Sequence, residues 1–350
     1  PFASSAMDGY AVQSVDLKTG AKLHVIGTSA AGARCDHSLN TGQAIRIFTG
    51  APVPEGADRI LIQEDCIRNS DMITVGDNID QSKYIRPKGG DFSVGDEISA
   101  PLRLGPAEVS LLAAMNIPVV PVYRKPVIAL IATGDELVSV GDTPDIDQIV
   151  SSNNYGLKVM IEAAGGIGRI LPIARDTRAE LEYVLGLCDD VDMIVTLGGA
   201  SVGDYDLVHS VAGEMGMDTS FYKVAMRPGK PLMAGRLRGI PMIGLPGNPV
   251  SSMVCGTVFL EPAINAMLGL GKAAQKTQNA TLSQDMGKNG PRAHYMRAVT
   301  HIENGHLLVK AFERQDSSLL SVLSQANALI VREPLDPAVS AGQTVRIIPL

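Results

Sequence analysis

The residues best suited to chemistry fall in a few short stretches. "KVAMRPGKP" sets Lys223, Arg227 and Lys230 around a Pro-Gly turn in a chain whose 37 acidic residues outnumber its 30 Lys plus Arg. Convergent cations favour an oxyanion. "GLPGNPVSSM" places Gly244, Pro246, Gly247, Asn248 and Pro249 directly after an apolar run. Prolines fix φ and remove donors, glycines allow close approach, and the remaining N–H groups of such a rigid turn can hold an anion. A solvated loop is the bland reading of the charges, but it needs no rigid Pro-Gly flanks.

Carboxylates recur as Asp135 and Glu136 in "ATGDEL", Asp176 in "ARDT", and Asp204 and Asp206 in "TLGGASVGDYD". Hard oxygen ligands of this kind suit Mg²⁺, which binds through one or two carboxylates plus substrate phosphates. Each aspartate taken singly, Asp176 included, also reads as a helix N-cap. Gly198, Gly199 and Ser201 in the same Gly-rich stretch make either a tight strand-to-helix turn or a seat for a phosphate. Elsewhere, Asp8 in "SSAMDGYAV", Thr49 in "FTGAPVP", Arg297, and Ser317 with Ser318 in "RQDSS" offer polar groups for a cleft, although turn chemistry or ordinary surface placement explains each alone.

These groups need elements to hold them. The 350 residues exceed one ordinary domain. Strand-like runs ("KLHVIG", "QAIRIF", "RILIQED", "MITVG") and turn-rich "KGGDFSVGDEI" make residues 1–95 a β-rich N-terminal domain. Within 96–124, "GPAEVSLLAAMNI" takes helical spacing, with Val109, Leu112, Ala113 and Ile117 on one face of a linking helix. Residues 125–272 alternate buried-type strands ("PVIALIAT", "RILPIAR", "DMIVTLGG", "PMIGLPG") with helical stretches, which predicts a doubly wound parallel α/β domain. Each chemical motif then falls at the carboxyl end of a strand, where such sheets bind ligands. Residues 273–350 return to short strands, a small β-barrel or sandwich.

A net charge of −7 argues against a broad nucleic-acid-binding face. Cysteines at 35, 66, 188 and 255 show no C-x-x-C pairing and fit reduced thiols in the cytoplasm. No apolar run reaches the roughly 18 residues of a membrane span. A chain opening on Pro1 is expected to lack its native start. The six histidines show no ligand spacing.

In their order and separation, "SAMDGYAV", "IFTGAPVPEGAD", "ATGDEL", "TLGGASVGDYD", "VAMRPGKP" and "LPGNPVSS" resemble the molybdopterin molybdenumtransferase family, which includes the gephyrin E domain. The resemblance spans nearly the whole chain. It implies an elongated cytoplasmic homodimer with a β-rich domain, a helical domain (incomplete here), a molybdopterin-binding α/β domain and a C-terminal β-barrel. It implies insertion of molybdate into adenylylated molybdopterin with Mg²⁺, releasing AMP and molybdenum cofactor. Matched motif by motif, it assigns Asp8, Thr49, Asp91, Glu136, Asp176 and Asp206 to catalysis, with Glu136 and Asp206 on the metal. The same resemblance implies that Arg227, Lys230, Arg297 and Ser317 hold molybdate, walled by Pro246 and Pro249, with Lys223 as the preceding cation of the substrate site. Gly198, Gly199, Ser201, Asp204, Gly247 and Asn248 are expected to complete the substrate site. Position 227 is commonly lysine in the family, and "RQDSS" stands where the family usually has a glycine before its serine. Asp8 and Thr49, far in sequence from the α/β domain, are most simply brought to a site across a twofold axis. Molybdopterin adenylyltransferase and recipient molybdoenzymes are the implied partners.

Two alternatives stay open. An adenylyltransferase of this α/β type would carry "GGTG" where this chain has Gly198-Gly199-Ala200-Ser201, and it would not explain the β-rich flanks. A molybdopterin-binding or peptide-binding scaffold without transferase activity would not need every charged motif.

Overall fold

The computed structural model describes residues 2–199, 207–271 and 277–350. The chain divides into two compact units, Pro1–Ala100 with Pro106–Ile117, and Pro101–Gly105 with Pro118–Leu350.

The first unit is a six-stranded sheet of β1 (Gly9–Val12), β2 (Lys22–Ser29), β3 (Gln43–Ile47), β4 (Arg59–Ile62), β5 (Cys66–Asn69) and β6 (Met72–Val75) in the order β4-β1-β3-β2-β6-β5. β1, "GYAV", is buried along its whole length because β3 and β4 flank it and side chains pack on both faces. Its helix α1 (Pro106–Ala114) differs from the amphipathic reading: none of its residues is buried, and Val109 is 54% exposed.

The second unit opens with an α/β sheet. Its strands are β7 (Val127–Ala132), β8 (Ile167–Ile170), β9 (Met193–Leu197), β10 (Met217–Tyr222), β11 (Met233–Leu237) and β12 (Ile240–Leu245), in the order β8-β7-β9-β12-β11-β10. β8, β7, β9 and β12 are parallel, as alternating strands and helices require. β11 and β10 run antiparallel at one edge, a departure from the all-parallel expectation. β10, "MDTSFY", is exposed over four consecutive residues, so it lacks the apolar run by which the parallel strands announce themselves. Helices α2 (Asn153–Ala164), α5 (Pro249–Cys255) and α6 (Glu261–Met267) supply Leu157, Val254 and Ile264 to the core on one face. On the other, α3 (Arg178–Gly186) and α4 (Leu207–Glu214) supply Leu181 and Val211. The sheet is therefore doubly wound.

A π-turn at Gly256–Leu260 joins α5 to α6, giving one helical run, Pro249–Met267, of 19 residues that is long and apolar enough to cross a membrane. The sequence reading anticipated no run of that length. Val250, Val254, Leu260 and Ile264 are buried against the sheet, the pattern of a core helix.

The C-terminal strands are β13 (Gln278–Leu282), β14 (Ala293–Glu303), β15 (His306–Ala311), β16 (Ala328–Arg332) and β17 (Thr344–Pro349). They pair in the circuit β14-β15-β13-β17-β16-β14, a closed five-stranded barrel. Leu329 and Ile348 of the barrel join the core that contains α5 and α6. Met226–Arg227 pairs in parallel with Ala293–His294 at one end of β14, so the cationic turn is hydrogen-bonded to the barrel.

Candidate functional site

The carboxyl ends of the parallel strands are tied to one another past the last residue of each strand. Thr133 N–H donates to Leu197 O at 2.9 Å, Gly134 N–H to Ala174 O at 3.1 Å, and Gly198 N–H to Leu245 O at 3.1 Å. The turns "ATGDEL", "ARDT", "TLGG" and "LPGNP" are thereby fixed around one cavity of about 570 Å³. Topology alone places a crevice here, since the chain leaves β7 toward β8 on one side and returns to β9 on the other.

Glu136 and Asp176 line the cavity. Gly134 sits at φ +149°, and a Cβ there would lie 2.4 Å from Glu136 Oε2, so the glutamate's position depends on the absence of a side chain at 134. Asp176 is not the helix cap. Thr177 caps α3, its hydroxyl accepting from Glu180 N–H, while Asp176 N–H donates to Asp135 Oδ1 at 3.0 Å. The Asp176 carboxyl is left to the cavity. Partial burial raises its pKa, and the neighbouring Asp135 and Glu136 charges add to the rise.

Gly198 and Gly199 also line the cavity, at φ +98° and +65°; a Cβ at Gly199 would meet Val208 Cγ2 at 2.2 Å, so the fold itself demands glycine there. Gly247 is different. Its φ is not positive, and a Cβ would make ordinary contact, 3.4 Å from Gly198 Cα. Pro246, Asn248 and Pro249 complete this wall. The turn is anchored twice: Asn153 Nδ2 donates to Gly247 O at 2.7 Å, and Asn248 Nδ2 donates to Ser317 Oγ at 3.2 Å.

The cations are placed elsewhere. Lys223, Arg227 and Lys230 are exposed and do not line the cavity, although Pro231, next to Lys230, does. Lys223 takes φ +73° and sets its ammonium 4.8 Å from the centre of the Tyr222 ring. The ladder sets Arg227 beside His294, and His294 beside Arg332. Burial pushes the His294 imidazole down to about 4, and the positive charges of Arg227, Arg332, Arg292 and Arg297 push it the same way. Arg297 is 2% exposed, its guanidinium donating to Gln315 Oε1 at 3.3 Å and Leu319 O at 3.4 Å. It does not line the cavity; Ser318, next to Ser317, does.

In the first unit, Asp8 and Thr49 form a pair of their own. Thr49 N–H and Oγ1–H both donate to Asp8 Oδ1, at 2.7 and 2.8 Å, and hold its carboxyl below the usual range. Asp91 is exposed. Ser201, Asp204 and Asp206 lie outside the described residues.

Sequence reasoning missed Asn153, Leu137, Ile149 and Val150, all on the cavity wall. Asn153 opens "NNYGLKVMIEAAGG", a stretch whose spacing signals a helix and nothing more. Leu137–Val138 and Ile149–Val150 pair in parallel as a two-residue ladder, too short to give a periodic signal.

Three family models match the chain: the MoeA N-terminal region (domain I and II) over residues 1–116, a probable molybdopterin binding domain over 129–266, and the MoeA C-terminal region (domain IV) over 279–350. The chain is 34% identical to a molybdopterin molybdenumtransferase of Haemophilus influenzae, over 99% of its own length and 87% of the relative's. It is 33% identical to one from Nostoc sp., over 99% and 82%. A crystal structure of the molybdopterin biosynthesis MoeA protein from Pyrococcus horikoshii OT3 superposes with a TM-score of 0.81 at 25% identity, covering 100% of this chain and 88% of that one.

Proposed function

The chain belongs to the molybdopterin molybdenumtransferase family, and on that premise we propose that it inserts molybdate into adenylylated molybdopterin, releasing AMP and molybdenum cofactor. One observation carries the reading: the four parallel-strand ends converge on a single cavity that holds Glu136, Asp176, the Gly198-Gly199 turn and the Pro-Gly-Asn-Pro turn together.

Molybdate is a tetrahedral dianion that must meet an anionic pyrophosphate ester bearing a dithiolene. Lys223, Arg227 and Lys230 are the proposed molybdate donors, lowering the cost of bringing two anions together and orienting an oxyanion through charge-assisted hydrogen bonds. Ser317 is proposed to assist, its Oγ already accepting from Asn248 and its own hydrogen left to donate. Arg297 is assigned a positioning role, since its guanidinium is buried against the 315–319 segment that carries Ser317.

Mg²⁺ is part of the proposal, and the donor set fits it. Glu136 and Asp176 offer hard oxygens on the same wall; burial first, and the neighbouring Asp135 and Glu136 charges second, raise the pKa of Asp176, and a cation would offset the second of these. Among the described residues no group of three such ligands converges. Glu136 would hold it, with Asp206 as the second ligand expected from sequence. When bound, Mg²⁺ neutralises charge developing on the departing phosphate.

A homodimer, supply of substrate by a molybdopterin adenylyltransferase, delivery to molybdoenzymes and a cytoplasmic location belong to the same proposal; sedimentation at 36.9 kDa rather than twice that mass would remove the dimer. Purified protein, adenylylated molybdopterin, molybdate and Mg²⁺ should yield AMP and a product that reconstitutes an apo-molybdoenzyme. Ligand binding without AMP release would instead make the chain a scaffold.

A further inference from the structure

Glu136 sits in a turn that scarcely holds itself. The bond that closes it, Leu137 N–H to Gly134 O, spans 3.4 Å, the long end of the range. The turn is held from outside instead. Ile149 N–H donates to Glu136 O at 2.8 Å. The carbonyls on either side, Asp135 O and Leu137 O, both accept from one nitrogen, Nη1 of Arg175, at 2.6 and 3.2 Å. A guanidinium Nη carries two hydrogens in a fixed plane, so a single side chain pins the peptide groups before and after the glutamate.

Arg175 is itself well placed to act as a brace. It lies between Ala174, whose carbonyl accepts from Gly134 N–H at 3.1 Å, and Asp176, whose N–H donates to Asp135 Oδ1 at 3.0 Å. The two turns that carry Glu136 and Asp176 are thereby interlocked, and both carboxylates line the cavity while Arg175 does not. Both Arg175 bonds go to carbonyls. A guanidinium paired with the Glu136 carboxyl would compete with a cation for it, whereas one bonded to the flanking carbonyls fixes the residue without occupying its oxygens.

We propose that Arg175 is a positioning residue: by clamping the carbonyls on either side of Glu136 it sets that carboxyl to receive the divalent cation. The inference rests on the transferase reading, from which the metal role of Glu136 comes.

Mn²⁺, which takes carboxylate ligands as Mg²⁺ does, serves as the probe. Mn²⁺ alone is titrated into wild type, Glu136→Ala, Arg175→Met and the double variant, followed by loss of the free-ion EPR signal, with Tm measured for each. Methionine keeps the stem of Arg175 and removes its donors. Glu136→Ala should weaken Mn²⁺ binding, and Arg175→Met should weaken it about 10-fold, the usual worth of a group that orients a metal ligand. The direction is diagnostic, since removing a nearby positive charge would by itself tighten cation binding. The double variant should bind no more weakly than Glu136→Ala, because Arg175 acts through that carboxyl. Wild-type or tighter Mn²⁺ binding in Arg175→Met, whatever its Tm, overturns the clamp; so do losses that add in the double variant, or unchanged binding in Glu136→Ala. No substrate enters this titration, so AMP release judges the transferase reading separately: its persistence beside a failed titration leaves that reading standing, and its absence beside the expected titration removes the reading and keeps the clamp.

Discussion

The side-chain amide of Asn248 donates to the hydroxyl of Ser317 over 3.2 Å, joining the Pro-Gly-Asn-Pro turn to a segment 69 residues away. Val250 N–H donates to Ser317 O at 3.0 Å and reinforces the join. Ser317→Ala and Asn248→Ala should each cost roughly 0.5–1.5 kcal/mol, and the double variant should cost little more than either alone. Additive losses in urea denaturation would show that the two side chains act independently.

Gly134→Ala tests how Glu136 is held. The added carbon would lie 2.4 Å from Glu136 Oε2 and at φ +149°, so the carboxyl must move. The expected result is a protein about 1–3 kcal/mol less stable with AMP release reduced at least as far as in Glu136→Ala. Wild-type AMP release would free the glutamate from the proposed role.

Two glycines on the same wall should behave oppositely. Gly199→Ala forces a contact of 2.2 Å with Val208 at positive φ and should destabilise the fold by roughly 2 kcal/mol or more. Gly247→Ala meets only ordinary contact among the described residues, so its Tm should match wild type while KM for adenylylated molybdopterin rises. A fall in Tm with an unchanged KM would make Gly247 a residue of the fold.

Lys230→Ala should weaken molybdate binding about 10- to 100-fold, the worth of a charged hydrogen bond. AMP affinity should change far less, and excess molybdate should restore part of the rate. Equal molybdate affinity in variant and wild type would move the oxyanion seat away from this turn.

His294 gives the chain a predicted acid sensitivity. Its folded-state value, about 4, lies below the usual 6.5, so the unfolded chain takes up a proton first and stability falls as the pH drops from 6.5 toward 4. At pH 5 the loss should be about 1–2 kcal/mol, discounted for solvent screening. His294→Gln should flatten that part of the curve; an unchanged slope between pH 7 and 5 would contradict it.

The legible parts of the sequence were those with strong local signals. "VIALIA" and "MIVTL" are buried on both faces and read as central parallel strands; "LPGNP" and "TLGG" read as strand-end turns, and both line the cavity. β10 was hidden because its exposed residues carry no apolar run. Val109 and Leu112 suggested an inward face that the chain does not bury, because helical spacing reports where apolar residues lie and not what covers them. Asn153 was illegible for a different reason. Its importance comes from Gly247 O, 94 residues away, and no local pattern announces a partner at that distance.

Closure of the barrel sets the order in which this molecule can be finished. β17, Thr344–Pro349, pairs with both β13 and β16, so a nascent chain lacks two of the barrel's five seams until these residues leave the ribosome. The α/β sheet can assemble earlier, its last strand ending at Leu245. Yet Arg227 is laddered to β14, and Asn248 is tied to Ser317 between β15 and β16. The cationic turn and the proline-walled turn therefore gain these ties only once β14 and Ser317 have been synthesised, later than the sheet whose strand ends they extend.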